Sequence, residues 1–332
     1  DTASYDDASA VTVSLETGNV AGSFAVGDTF VSIENLIGSA YADFLKGDAG
    51  ANRLDGGAGD DLLEGGAGVD VLVGGMGSDT ARYAGSGAGV TISLLTGNTA
   101  GGHAAGDTLI SIENLFGSSY ADFLKGDAGA NRLEGKAGND RLEGEAGDDI
   151  LIGGLGADIL NGGVGSDWAA YFGSNVGVTV SLLTGNAVGG YAAGDTLVSI
   201  ENLIGSSHAD FLKGNAGTNR LEGGGGNDRL EGGAGNDRLE GGDGNDVLIG
   251  GAGDDRFIFA DGFGNDTVTD FVAGAGTDDR LDFSDHSILN GYATVMAAAS
   301  QQGADTVIDI GSDRIKLIGV TRTDLHQDDF VF

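Results

Sequence analysis

The sequence has no cysteine and no proline. Without cysteine there is no disulfide scaffold and no thiolate zinc site. Without proline, and with no Gly-X-Y period, a collagen-like triple helix is excluded, although glycine supplies 65 of the 332 residues. Basic residues are scarce: 16 Lys and Arg stand against 51 Asp and Glu, a net charge of −35. A nucleic-acid binder needs the opposite footprint, and an anionic membrane surface would repel this chain. No apolar run approaches the length of a membrane span. Hydrolase and zincin signatures are missing too: the sequence has no Gly-x-Ser-x-Gly and no His-Glu-x-x-His. What is abundant is glycine, carboxylate and, at 40%, apolar residues, too many for a disordered chain. The natural partners of so many carboxylates are cations.

Those residues fall in a nine-residue repeat. It runs in unbroken register over residues 38–82, 117–170 and 205–258, giving 5, 6 and 6 units, 17 in all. Position 1 is Gly in every unit and position 4 is Gly in 14. Position 8 is Leu in 14, and position 6 is always Asp or Asn. A typical unit is Gly232-Gly-Ala-Gly-Asn-Asp-Arg-Leu-Glu240. A longer repeat lies over this one. Ser32-Ile-Glu-Asn-Leu36 recurs as Ser111–Leu115 and Ser199–Leu203, at spacings of 79 and 88. The two spacings differ by one unit, so the nonapeptide is the structural quantum. Three modules are expected over residues 1–82, 83–170 and 171–258, with a C-terminal cap over 259–332. Val11–Leu15, Val90–Leu94 and Val178–Leu182 alternate like strands, and Gly27-Asp-Thr29 recurs at Gly106–Thr108 and Gly194–Thr196. These connectors are expected to add wider coils to one solenoid. Asp1–Tyr5 matches Asp79–Tyr83, which begins at position 6 of a unit; the expectation is a fragment of something longer.

The spacing predicts an all-β parallel solenoid. Residues 1–6 of each unit form a turn, and residues 7–9 a short strand with position 8 inward and its neighbours outward. Two units complete a coil, so units i and i+2 stack about 4.8 Å apart. This brings the position-6 side chains into columns: Asp43, Asn52, Asp61, Asp70 and Asp79; Asp122, Asn131, Asp140, Asp149, Asp158 and Asp167; Asp210, Asn219, Asp228, Asp237, Asp246 and Asp255. Two carboxylates at that spacing repel by roughly 3 kcal/mol at an effective dielectric near 20. A divalent cation between them reverses the sign. Carboxylate and backbone carbonyl oxygens in a flexible turn suit Ca2+ better than Mg2+, which demands a near-octahedral shell. Counting i/i+2 pairs gives 3, 4 and 4, about 11 ions, with the three Asn positions the weakest. One buried Leu per unit is little burial to set against ordering nine backbones. The roll is therefore predicted to fold as it binds metal.

The consensus Gly-Gly-x-Gly-x-Asp-x-Leu-x resembles the nonapeptide of RTX (repeats-in-toxin) haemolysin-type calcium-binding proteins, and the resemblance covers nearly the whole chain. It implies a parallel β-roll with calcium held by the Asp residues of adjacent turns. It also implies export through the type I secretion machinery to the extracellular space or the bacterial cell surface, with an uncleaved C-terminal signal. The tail fits that family: Asp255–Phe259 and Asp266–Phe271 resemble segments that close such rolls. Asn290–Gln302 reads as one short helix with Tyr292, Val295 and Met296 as its apolar stripe, followed by Thr306–Ile310, Arg314–Ile318 and the terminus Asp328–Phe332 in a β-rich cap. Similar caps end serralysin-type proteases and alginate epimerases, though any solenoid needs its open end covered.

The first reading is thus a non-catalytic, extracellular calcium-binding module for secretion, folding or a surface matrix. A second is the C-terminal region of a secreted epimerase, protease or lipase whose catalytic domain precedes Asp1. A third is an adhesin that binds extracellular polysaccharide through outward Arg/Glu ladders such as Arg229/Glu231; a solvated face with weak ion pairs is the plainer account of those ladders. Glu34, Glu113 and Glu201 recur with their strand and read as coil packing or an extra calcium contact. His103, His208, His286 and His326 show no metal spacing and read as surface or loop residues.

Overall fold

The computed structural model describes residues 1–6, 9–22, 25–274 and 279–332. The chain divides into two compact units, Asp1–Asp167 and Trp168–Phe332. Each is built from short parallel strands in the register that the repeat demands. In the first unit Arg141, Leu142 and Glu143 pair with Ile159, Leu160 and Asn161. In the second, Arg229, Leu230 and Glu231 pair with Val247, Leu248 and Ile249. The register step is therefore two nonapeptides. It stacks position 8 on position 8, and those Leu side chains are fully buried from Leu45 through Leu248. Phe257 closes the stack and packs against Phe271, while Phe259 packs against Phe263 and Phe283.

The strands differ from the simple expectation in two ways. Many run on through positions 1–3 of the next unit, as in Arg53–Ala58 and Arg229–Ala234. Gly57 pairs with Gly75 and Gly233 with Gly251, so the glycine turn itself joins the ladder. Position 9 is also not uniformly outward. Glu64 and Glu143 are buried, because Lys46 and Arg82 close over Glu64 and Lys125 closes over Glu143.

The connectors supply strands to the same ladders. Thr12–Ser14 pairs in parallel with Phe44–Lys46, and Thr91–Ser93 with Phe123–Lys125. Each also carries an antiparallel partner that its alternation did not reveal. Asn19–Ala21, Asn98–Ala100 and Asn186–Val188 fold back on the preceding strand. The returns run through Gly18, Gly97 and Gly185, whose φ values of 66°, 69° and 69° a side chain resists.

In the second unit the C-terminal segments continue both ladders. Asn265–Val268 adds to Val247–Ala252, and Arg280–Asp282 adds to Arg256–Ile258. The helix is shorter than the composition suggests, spanning Tyr292–Ala298 with Val295 buried. Ala299–Gln302 is instead a strand, drawn into an antiparallel hairpin with Asp305–Ile310. No helix is long and apolar enough to cross a membrane among the described residues.

Candidate metal centres

Each position-6 side chain turns inward and is buried. Its first oxygen is spoken for. The backbone N–H of Asp43 donates to Asp61 Oδ1 (2.8 Å), and that of Asp61 to Asp79 Oδ1 (2.8 Å). In the second run Asp122 donates to Asp140 Oδ1, Asp140 to Asp158 Oδ1 (each 2.8 Å) and Asp149 to Asp167 Oδ1 (2.9 Å). The third run repeats the pattern, Asp228 to Asp246 Oδ1 (2.8 Å) and Asp237 to Asp255 Oδ1 (2.9 Å). These bonds hold each carboxylate against the coil that precedes it.

The second oxygen is not satisfied. Oδ2 of Asp61, Asp70, Asp79, Asp149, Asp228, Asp237, Asp246 and Asp255 is buried without a hydrogen-bond donor, and the same atom of Asp140, Asp158 and Asp167 is buried likewise. An orphaned carboxylate oxygen is among the most costly groups a protein can bury. These eight, together with Asp140, Asp158 and Asp167, are the upper members of the i/i+2 pairs. Beside most of these oxygens lies the bare Cα of the unit's position-1 glycine. A Cβ on Gly56 would strike Asp61 Oδ2 and come within 2.8 Å of the Gly74 carbonyl oxygen. On Gly232 it would strike Asp237 Oδ2 and stand 2.6 Å from the Gly250 carbonyl. Carboxylate and carbonyl oxygens thus border one small space in successive coils. No group of three or more His, Asp or Glu side chains converges among the described residues. A cation held in this space would take one or two carboxylates and draw the rest of its shell from backbone carbonyls, a hard-oxygen set suited to calcium.

Burial disfavours the ionised carboxylates. Desolvation pushes Asp61 up to about 7, with the charges of Asp79 and Asp43 in the same column adding to the rise. Asp228 and Asp237 rise to about 7 in the same way. Asp70, Asp149, Asp246 and Asp255 rise to about 6. The backbone N–H bond to Oδ1 opposes each rise without cancelling it.

The first two units of each run are built differently. Asp43 accepts from Ser39 N–H at Oδ2, and from Val11 N–H (2.6 Å) and Ser39 Oγ–H (3.0 Å) at Oδ1. Asp122 and Asp210 repeat this with Ser118 and Ser206. Asn52, Asn131 and Asn219 accept at Oδ1 from the position-2 N–H of their own unit, at 2.8 Å each. Their Nδ2 donates to the carbonyl of Glu34 (2.8 Å), Glu113 (2.7 Å) and Glu201 (2.7 Å).

Some column members lie outside the nonapeptides. Asp70 donates to Asp107 Oδ1 (2.8 Å) and Asp79 to Glu113 Oε2 (2.9 Å). Asp246 donates to Asp266 Oδ1 (2.9 Å) and Asp255 to Asp279 Oδ1 (3.0 Å). The recurrence of Gly-Asp-Thr was the available signal for Asp107, whose Oδ2 accepts from Tyr83 (3.0 Å). Asp266, which burial pushes up to about 8, and Asp279 follow their partners by 20 and 24 residues rather than 18, which hid them. Of the histidines, His286 is buried rather than superficial; its Nδ1 accepts from Ile288 and Leu289 N–H (3.1 and 3.2 Å).

A family model for the RTX calcium-binding nonapeptide repeat (4 copies) matches residues 32–63, 47–81, 111–142, 134–169, 204–239 and 231–268. Together these take in just over half of the chain. The chain belongs to the RTX calcium-binding nonapeptide repeat family. It is thereby a calcium-binding β-roll, and the repeat that defines it is a binding module, not a catalytic one. Two solved structures are similar. The extracellular lipase LipA from Serratia marcescens is 24% identical with a TM-score of 0.31, the match covering 64% of this chain and 40% of that one. The AlgE6R3 subunit of the Azotobacter vinelandii mannuronan C5-epimerase is 35% identical with a TM-score of 0.32, covering 38% of this chain and 79% of that one. No curated protein matches.

The outward Arg ladder is internally paired over much of its length. Arg229 meets Glu231 at 2.6 Å and lies over the Phe211 ring; Arg220 meets Glu222 at 2.8 Å and lies over Trp168. Such half-exposed pairs are worth little to stability.

Proposed function

We propose that this RTX roll is an extracellular folding and secretion module that is held together by about eleven calcium ions, one at each upper Asp of an i/i+2 pair. Asp61, Asp70, Asp79, Asp140, Asp149, Asp158, Asp167, Asp228, Asp237, Asp246 and Asp255 carry the ions. Asp43, Asp122 and Asp210 close the columns with protein donors. The observation that carries this reading is the row of buried Oδ2 atoms beside bare position-1 glycines, with a carbonyl oxygen close by at units such as those of Asp61 and Asp237. In a cytosol poor in calcium the columns repel and the chain stays unfolded, the state that type I export requires. Outside, sites of about 10⁻⁴–10⁻³ M affinity fill and the roll forms.

Far-UV circular dichroism during a calcium titration tests this, with magnesium as control and Trp168 fluorescence as a second signal. A cooperative coil-to-β transition with calcium alone is expected. Full β structure in chelator, unchanged by calcium, would make the Asp and Gly positions mere turn formers and sink the proposal.

A further inference from the structure

We infer that Asn52, Asn131 and Asn219 stand in for a calcium ion and so end the ion column at the start of each run; this rests on the calcium reading above. The argument is one of polarity. In the upper units the preceding coil presents a backbone N–H to the position-6 side chain, as Asn52 N–H does to Asp70 Oδ1 (2.8 Å). One oxygen of a carboxylate accepts that bond and the other is left for metal. At the three Asn positions the preceding coil presents a carbonyl instead, that of Glu34, Glu113 or Glu201. The chain enters those strands through Ser32, Ser111 and Ser199, left-handed at φ 53°, 50° and 48°, three residues before the Asn of Ser-Ile-Glu-Asn-Leu that begins the strand. A carboxylate facing that carbonyl would set oxygen against oxygen. The amide Nδ2–H resolves the conflict without a cation.

The pair of oxygens that an ion would use is nevertheless there. A Cβ on Gly47 would strike both Asn52 Oδ1 and the Gly65 carbonyl, as one on Gly214 would strike Asn219 Oδ1 and the Gly232 carbonyl. The convergence of carbonyl and side-chain oxygen beside the glycine is thus the same as at Gly56 in an upper unit. What differs is that Oδ1 is already bonded to the position-2 N–H of Asp48, Asp127 or Asn215 (2.8 Å each). Three independent copies of the same bonding pattern, each at the second unit of a run, mark this as a device of the fold. The amide is neutral, so each column that begins at an Asn also starts with one charge fewer to hold.

The test is the calcium count of the intact chain, read by equilibrium dialysis and atomic emission at saturating calcium, with circular dichroism to confirm folding. Asn52→Asp, Asn131→Asp and Asn219→Asp each restore two facing oxygens, and each is expected to add one ion to the wild-type count. A folded Asp variant with an unchanged count overturns the inference and leaves the calcium reading intact. The Ala variants decide the matter where an Asp variant does not fold. Asn219→Ala is expected to keep the wild-type count and to lower the melting temperature. Loss of an ion in that variant would make Asn219 a ligand and overturn the inference. Wild-type chain that folds and binds no calcium would instead bring down the reading beneath it.

Discussion

At the scale of single residues, glycine at position 1 acts by what it leaves out. Its φ is ordinary in most units; the constraint is space. A Cβ on Gly56 would sit inside van der Waals contact of Asp61 Oδ2 and narrow the gap to the Gly74 carbonyl. Gly56→Ala is therefore expected to raise the calcium concentration at half-folding several-fold. Gly87→Ala, where nothing lies within 4 Å, should leave it unchanged. Calcium titrations followed by circular dichroism compare the two; equal midpoints would mean the glycines serve only the turn. The invariance of position 1 was legible in the sequence, and so was the stacking of the position-6 side chains into columns. What the sequence did not disclose was the division of labour within that Asp, because Oδ1 and Oδ2 are distinguished only by which coil supplies an N–H. The same limit explains the asparagines. A reading by residue type ranks Asn52 as a weaker ligand, whereas the carbonyl of Glu34 opposite it makes the amide a donor.

Elements, here the stacked columns, couple these residues. Burial raises Asp61, Asp228 and Asp237 to about 7 and Asp70, Asp149, Asp246 and Asp255 to about 6, from about 3.9 in an unfolded chain. A carboxyl whose folded value lies higher binds more protons folded than unfolded between those limits. Its contribution to stability is full below about 4 and is lost as pH rises through 6–7. Calcium-free chain is thus expected to gain β structure and melting temperature between pH 8 and pH 5. Calcium needs the ionised form, so the calcium midpoint should move the opposite way, climbing as pH falls below 7. Thermal melts with and without calcium across that range check both signs; identical calcium-free melts at pH 5 and pH 8 would show that the columns carry no such penalty. Column length was only partly legible. Within a run the 18-residue step is written in the nonapeptides. At the run ends the next coil is longer, and Asp107, Asp266 and Asp279 enter the column from segments without the repeat's spacing.

For the whole molecule the governing quantity is a net charge of −35 carried by 332 residues with no disulfide to hold them. Self-repulsion on that scale opposes compaction, and the leucine stacks bury one side chain per nine residues against it. Eleven divalent ions would cancel about two thirds of the charge at the places where it is most confined. Screening by monovalent salt is a weaker remedy, since buried pairs are shielded far less than exposed ones. Small-angle scattering should therefore report a radius of gyration near the roughly 65 Å of an unfolded chain of this length in chelator. Saturating calcium should reduce it at least twofold, and 1 M sodium chloride in chelator should achieve only part of that contraction without the β signal. If salt alone produced the full contraction and the β signal, charge cancellation in bulk would be sufficient. The geometry argues otherwise: a screening atmosphere has no access to a buried oxygen such as Asp237 Oδ2, whereas a dehydrated divalent ion would bond it together with neighbouring carbonyl oxygens.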